Sequence, residues 1–256
     1  MTTAELIEVL AAAVEAVSEA LSGLEYWGLA GTCEGQYRSD IVADRAAVGV
    51  LTVAGLPVLS EESGLTPGVS GQGLLAVLDP VDGSTNASRR LPWYATSICV
   101  LDSEGPLVAV VANQATGTRY EAVRGSGARR DGQPISPSGC VTLAEGLIGL
   151  SGYPSAHLGW RQFRALGAVA LDLCAVADGT LDGYVDCLED AHGPWDYLGG
   201  LLVCTEAGAC AADGAGRGLD VRDHRSRRTP VAAATPELLR DLLEMRSRAA
   251  ATRPYS

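Results

Sequence analysis

The stretch Leu78-Asp79-Pro80-Val81-Asp82-Gly83-Ser84-Thr85-Asn86 sets two carboxylates three residues apart, with a proline between them and a glycine, two hydroxyls and an amide directly after. The apolar run Leu74 to Leu78 that leads in reads as a buried strand. Asp79 and Asp82 then fall at its carboxyl end, where layered α/β proteins bind ligands. Hard carboxylate oxygens suit Mg²⁺, which is commonly held by a few carboxylates together with a substrate phosphate. Gly83-Ser84-Thr85 is placed to open a helix whose first-turn N–H groups attract an anion. A cation site beside an anion site suits metal-assisted phosphate chemistry. An isolated Asp-Pro-x-Asp-Gly is an ordinary turn, with Ser, Thr and Asn as routine helix caps. Two further acidic strings strengthen the chemical reading: Ser60-Glu61-Glu62-Ser63-Gly64 upstream and Gly193-Pro194-Trp195-Asp196-Tyr197-Leu198-Gly199-Gly200 downstream.

The chain has 256 residues, enough for a full core in one compact domain or in two packed halves. It carries 19 Lys and Arg against 31 Asp and Glu, a net charge of −12. Such a balance disfavours nucleic acid and anionic membrane as partners. The basic cluster Arg222 to Arg228 reads as a solvated loop. An acidic protein that handles phosphate needs cations between the two negative partners. The 7 cysteines are scattered with no Cys-x-x-Cys pair, which predicts free, mostly buried thiols in a reducing compartment. No signal peptide and no apolar run of membrane-spanning length is seen, so the expectation is a cytoplasmic protein.

Apolar positions Leu6, Val9, Leu10, Ala13, Val14, Val17 and Leu21 predict a helix over residues 4–22. Residues 31–39 and 65–73 read as loops, residues 44–56 as a second helix, and residues 57–60 as a strand ending at Glu61-Glu62. Strands follow at 74–78, 95–101, 107–113 and 119–123, separated by turn signals. The Gly- and Pro-rich segment 125–139 reads as a waist. Beyond it the pattern gives a strand at 147–150, a helix at 168–177, a strand at 183–185, and helices at about 197–206 and 236–248. Alternating helices and strands predict α/β layers.

The three acidic strings, in this order, resemble the inositol monophosphatase family of Mg²⁺-dependent, lithium-sensitive phosphatases. The similarity extends through Phe163-Arg164-Ala165-Leu166-Gly167, Leu171 to Gly179 and Asp182 to Asp186. It implies an α/β fold, the family's αβαβα layered sandwich, with a metal and phosphate half over about residues 1–130 and a substrate half over about 140–256. It also implies a homodimer. The resemblance assigns Glu61, Asp79 and the Val81 carbonyl to one Mg²⁺, and Asp79, Asp82 and Asp196 to a second. Glu62, the next residue on a strand end, is expected to point away. Ser84 matches a threonine whose hydroxyl helps activate the attacking water. Its partner in the family is an aspartate at the start of the second helix, in an Asp-x-x-Thr-x-x-Asp string. Here Asp40-Ile41-Val42-Ala43-Asp44 is shorter and lacks the threonine. Asp44-Arg45-Ala46-Ala47 best matches the helix start, which assigns Asp44, with Asp40 as the alternative and a simple helix cap as the plain reading of Asp44.

The first-turn groups of Gly83, Ser84 and Thr85 are expected to meet the phosphate. Glu189, six residues before Trp195, matches a family glutamate that binds a substrate hydroxyl. Gly167-Ala168-Val169 stands where the family has Gly-(Ser/Thr)-Ala, so a hydroxyl is missing and the pocket wall is bulkier. His157, His192 and His224 are isolated, and His192 reads as a neighbour of the Trp-Asp string rather than a base. The implied activity is Mg²⁺-dependent hydrolysis of a small polyol, cyclitol or sugar phosphate, inositol 1-phosphate first. Histidinol phosphate and other superfamily substrates are the alternatives, and a catalytically silent binding or scaffold member is the rival of another class.

Overall fold

The computed structural model describes residues 1–32, 35–69, 73–154 and 157–251. Residues 33–34 and 70–72 of the two expected loops lie outside that set. The first layer is the helix pair α1 (Thr3–Ser22) and α2 (Arg38–Val53). α1 buries Leu6, Leu10, Ala13, Val14, Val17 and Leu21, the spacing of an amphipathic helix. Thr2 and Glu5 satisfy each other's backbone N–H at its start.

β1 (Val58–Ser60), β2 (Gly64–Thr66), β3 (Leu75–Asp82), β4 (Ala95–Asp102), β5 (Gly105–Asn113), β6 (Arg119–Val123), β7 (Ala128–Arg130) and β8 (Gln133–Pro134) form the second layer. Their order is β2-β1-β3-β4-β5-β6-β7-β8, with β1 parallel to β3 and the other pairs antiparallel. α3 (Ser84–Arg89) links β3 to β4. The period of two is plain on β3 and β4. Ala76, Leu78, Ile98 and Val100 face the helix pair, and Val77, Cys99 and Leu101 face inward.

β9 (Leu147–Ser151), β10 (Gln162–Arg164), β11 (Gly183–Asp186), β12 (Cys210–Asp213) and β13 (Pro230–Ala233) form a second sheet, in the order β10-β9-β11-β13-β12. Between the sheets lie α4 (Val169–Ala177) and α5 (Pro194–Ala207), and α6 (Pro236–Ala251) covers the far face through Leu238, Leu242 and Met245. The central core therefore joins both halves: Val77 and Val111 from the first sheet, Leu173 and Leu198 from the helices, and Tyr184 and Ala232 from the second. Gly199 and Gly200 make this packing close. A Cβ at Gly199 would stand 2.5 Å from Ser97 Oγ, and one at Gly200 would stand 2.7 Å from Leu173 Cβ. The layers run αβαβα, as the motifs implied.

Two expectations need correction, and some strands were not expected at all. α2 begins at Arg38, not Asp44. The 125–139 segment is not a bare waist, because β7 and β8 extend the first sheet through it. The short strands β10, β12 and β13 carry no pattern that the sequence reading found. Cys99, Cys174 and Cys204 are buried free thiols. Among the described residues no helix is long and apolar enough to cross a membrane.

Candidate active site

In a regular strand, residues three apart point to opposite faces. β3 breaks that rule with a bulge: Asp79 pairs with Ser97 and Asp82 with Ala95, so an extra residue sits on the β3 side. Pro80, with no N–H to donate, is tolerated there, and its carbonyl accepts the Thr96 hydroxyl at 2.9 Å. Asp79 Oδ1 accepts the Val81 N–H at 3.0 Å, which pins the turn. Asp79, Val81 and Asp82 are all buried. Asp82 Oδ2 accepts the Ala170 N–H at 2.6 Å, so the first turn of α4 reaches across from the second half to hold it.

Glu61 follows β1 and is brought to the end of β3 by the parallel pairing, its N–H donating to the Leu78 carbonyl at 3.1 Å. Asp196 stands in the first turn of α5, whose Pro194 suits that position. Its Oδ2 accepts the Gly193 N–H at 2.7 Å. One carboxylate oxygen each from Glu61, Asp79 and Asp196 lies within 4.8 Å of the others. Asp82 is outside that trio but repels both Asp79 and Asp196.

Burial, and then the neighbouring carboxylates, push the Asp79 and Asp82 carboxyls well above the ordinary range. Glu61 is crowded by protein yet still open to solvent. Desolvation, followed by Asp196, Glu62 and Asp40, pushes its carboxyl up to about 8, with Arg227 opposing. A cluster of anions so close is relieved only by protons or cations, and its all-oxygen donors fit a hard divalent ion.

A cleft of 450 Å³ opens on this cluster, lined by Asp40, Glu61, Ser84, Trp195 and Arg227 among others. Asp40 is the third residue of α2 and accepts the Tyr37 N–H at 2.9 Å and the Ser39 hydroxyl at 3.2 Å. Burial pushes its carboxyl up to about 7, against the lowering effect of the Tyr37 N–H, while Glu62 raises it further. Asp44 lies one turn later, within the helix rather than at its start. It accepts the hydroxyls of Ser60 and Ser63 and lines a neighbouring pocket, not this cleft. The structure thus brings Asp40, and not Asp44, into one cleft with Ser84. Glu62 is not part of the Glu61, Asp79 and Asp196 group; it lines both this cleft and the neighbouring pocket and accepts the Gln36 side-chain amide.

α3 opens at Ser84, as expected, with Gly83 as its cap at φ 85°. Thr85 Oγ1 lies 3.2 Å from the Tyr37 hydroxyl. Asn86 Nδ2 donates to the carbonyls of Trp93 and Leu166, both at 2.7 Å, and ties α3 to the 166–168 turn. Gly167 adopts φ 82°, and Ala168 is fully buried under Gly83. Ala168 therefore offers no side-chain surface to the cleft. Glu189 is exposed in the turn after β11 and does not line the cleft.

Two residues of the basic loop belong to the site, contrary to the sequence reading. His224 Nε2 lies 3.1 Å from the Glu61 carbonyl oxygen, and its ring is 4.7 Å from that of Trp195. Arg227 lies over Trp195 at 5.0 Å. Nothing in the sequence signals where that loop folds. His192 bridges Asp196 and Asp186, at 3.5 Å and 3.3 Å. Burial works against its imidazolium, but Asp196 and the other carboxylates outweigh it and hold the ring above its ordinary value.

The inositol monophosphatase family model matches residues 43–249. The chain is 33% identical over 227 residues to the fructose-1,6-bisphosphatase/inositol-1-monophosphatase of Methanothermobacter thermautotrophicus, covering 80% of this chain and 81% of that one. It is 30% identical over 211 residues to the fructose-1,6-bisphosphatase of Pyrococcus furiosus, with 80% and 81% covered. Among solved structures, the extragenic suppressor from Pyrococcus furiosus superposes with a TM-score of 0.81 at 26% identity, over 93% of this chain and 99% of that one. With its layers, its three acidic strings and a family match over most of its length, the chain belongs to the inositol monophosphatase family and is a phosphoric monoester hydrolase of that metal-dependent group.

Proposed function

We propose that this chain is a Mg²⁺-dependent phosphomonoesterase acting on a small polyol, cyclitol or sugar phosphate, with inositol 1-phosphate as the first candidate. The observation that carries the reading is the convergence of Glu61, Asp79 and Asp196 beside a cleft that also holds Asp40 and Ser84. Glu61, Asp79, the Val81 carbonyl, Asp82 and Asp196 would hold roughly two or three Mg²⁺ ions, which neutralise phosphoryl charge and make a water more acidic. The first-turn N–H groups of Gly83, Ser84 and Thr85 receive phosphoryl oxygens. α3 has only six residues, so those amides act locally and not through a long helix.

Asp40 takes the role assigned from sequence to Asp44. The Ser84 hydroxyl orients the attacking water and passes its proton to Asp40, the carboxylate that shares the cleft with it. The water oxygen bonds to phosphorus as the ester P–O bond breaks, and the departing alkoxide takes a proton from solvent. Glu189 and the backbone of Gly167 and Ala168 remain candidates for the alcohol side of the substrate, Glu189 only if the turn after β11 bends toward it.

The names of the relatives, one a fructose-1,6-bisphosphatase and one a fructose-1,6-bisphosphatase/inositol-1-monophosphatase, support both cyclitol and sugar esters. We read the chain further as a single phosphatase domain of two packed halves, homodimeric and cytoplasmic. The shared central core supports one domain, and the buried thiols suit a reducing compartment. The test is turnover of inositol 1-phosphate, fructose 1,6-bisphosphate, other sugar monophosphates and histidinol phosphate with and without Mg²⁺. Mg²⁺-dependent release of phosphate from a cyclitol or sugar ester is expected. Binding without turnover of any ester would instead favour the silent scaffold.

A further inference from the structure

Arg227 brings a guanidinium into a cleft otherwise rich in carboxylates. Its Nη1 donates to the carbonyls of His224 at 2.8 Å and Ser226 at 3.0 Å, and its Cζ lies over the Trp195 ring, 5.0 Å from the centroid. Among the described residues its Nε and Nη2 make no hydrogen bond and it forms no ion pair. Arg124 and Arg217 are matched by acids, Asp102 and Glu104 for the first and Asp190 and Asp213 for the second, whereas Arg228 and Arg246, like Arg227, rest on backbone carbonyls; of these three, Arg227 is the one that lines the cleft. Arg227 is positioned by the Trp195 ring and by backbone carbonyls, so its place is fixed without a direct ion pair, although its charge reaches Glu61. Trp195, the ring it rests on, is buried and is the residue directly before Asp196. The loop behind it is anchored in turn by His224 on the Glu61 carbonyl. The first anchor adjoins Asp196 in sequence and the second is the backbone of Glu61, so the guanidinium is fixed beside the carboxylate cluster. A planar fork with its Nε–Nη2 edge open matches two oxygens of a phosphoryl group in a bidentate pair.

We propose that Arg227 is a substrate-binding residue whose Nε–Nη2 edge takes two oxygens of a substrate phosphoryl group. This rests on the phosphomonoesterase reading of the same cleft. The phosphoryl group is either the scissile one or a second one on a bisphosphorylated sugar.

The Mg²⁺-loaded wild type, Arg227→Gln and Arg227→Lys are compared in three measurements. These are KM and kcat for inositol 1-phosphate, the same for fructose 1,6-bisphosphate, and the Kd of inorganic phosphate by calorimetry. Loss of a charge-assisted bidentate pair is expected to weaken binding roughly tenfold to a hundredfold in Arg227→Gln, with Arg227→Lys recovering part of it. If the scissile group is held, both KM values and the phosphate Kd rise together. If a second group is held, only the bisphosphate KM rises. The proposal is overturned if folded variants keep both KM values and the phosphate Kd within about twofold of wild type. It is equally overturned if only kcat and thermal stability fall, since that marks a prop for Trp195. Should the wild type hydrolyse neither ester, the phosphomonoesterase reading fails, and the Kd values of inorganic phosphate and of fructose 1,6-bisphosphate, compared between wild type and Arg227→Gln, still decide Arg227.

Discussion

Asp40 and Asp44 lie one helical turn apart and do different work. Asp40 closes the start of α2 on the Tyr37 N–H and faces the cleft; Asp44 is held by Ser60 and Ser63. Asp40→Asn is expected to cut kcat by roughly 10²–10⁴-fold with Mg²⁺ binding little changed. Ser84→Ala should do the same, and the double variant should be no worse than the worse single, because the two act as a unit. Asp44→Asn should leave kcat nearly intact and lower stability by about 1 kcal/mol, the usual worth of a weakened buried hydrogen bond. Steady-state kinetics and urea unfolding on all four proteins check this, and the reverse ranking would return the base to Asp44. The distinction was not legible in the sequence. Tyr37 is not a residue that normally caps a helix, so no cap announced the start of α2, and Asp44 looked like a start of its own. The metal-cluster carboxylates were legible, because bulge, strand end and helix start each leave a mark: Asp-Pro-x-Asp, Glu-Glu after an apolar run, and Pro-Trp-Asp. Glu189 was placed by spacing alone, and spacing says nothing about which way a surface turn faces.

At the scale of elements, the site depends on two short helices from different halves meeting at Gly83. That residue is at φ 85°, and a Cβ there would stand 3.1 Å from Ala168 Cβ and from the carbonyl oxygens of Gly167 and Trp93. Gly83→Ala is therefore expected to lose roughly 1–2 kcal/mol through the left-handed backbone alone, and more from the contact. It should also raise KM, by shifting the first-turn amides of α3. A thermal midpoint and a KM equal to wild type would show that the α3–α4 junction is looser than described. The main strands β3 to β6 were legible because each alternates or runs apolar between turn residues. β12 is Cys-Ala-Ala-Asp and β7 is Ala-Arg-Arg, too short and too poor in branched residues to declare themselves. Their strand character comes from pairing, β12 with β13, itself unmarked in sequence, and β7 with the legible neighbour β6. The 222–228 loop is likewise shaped by what it lands on, Trp195 and Glu61, and its charge pattern alone suggested only a solvated surface.

At the scale of the molecule, the fold gathers buried carboxylates that ordinary folding would avoid. In the metal-free protein Asp40 and Asp172 are pushed up to about 7 and Glu61 to about 8, all mainly by burial. Each folded value lies above the unfolded one near 4, so the folded chain binds more protons between the two. Their contribution to stability is fully present below about pH 4 and is lost as pH rises through about 7 to 8. Metal-free protein is thus expected to melt at a lower temperature at pH 8 than at pH 5, with saturating Mg²⁺ removing most of that difference. A pH-independent midpoint in the metal-free protein would mean that these acids do not sit in the desolvated setting described. The most direct test of the metal core uses Asp79, buried at the centre of the cluster and repelled by Glu61, Asp82 and Asp196. Turnover of inositol 1-phosphate and the thermal midpoint are measured against Mg²⁺ concentration for the wild type and Asp79→Asn. Mg²⁺ should switch on wild-type hydrolysis and raise its midpoint. Asp79→Asn should stay folded, with a metal-free midpoint at or above wild type, and show neither turnover nor a Mg²⁺-induced shift. Near-normal Mg²⁺-dependent turnover by Asp79→Asn would contradict the metal core.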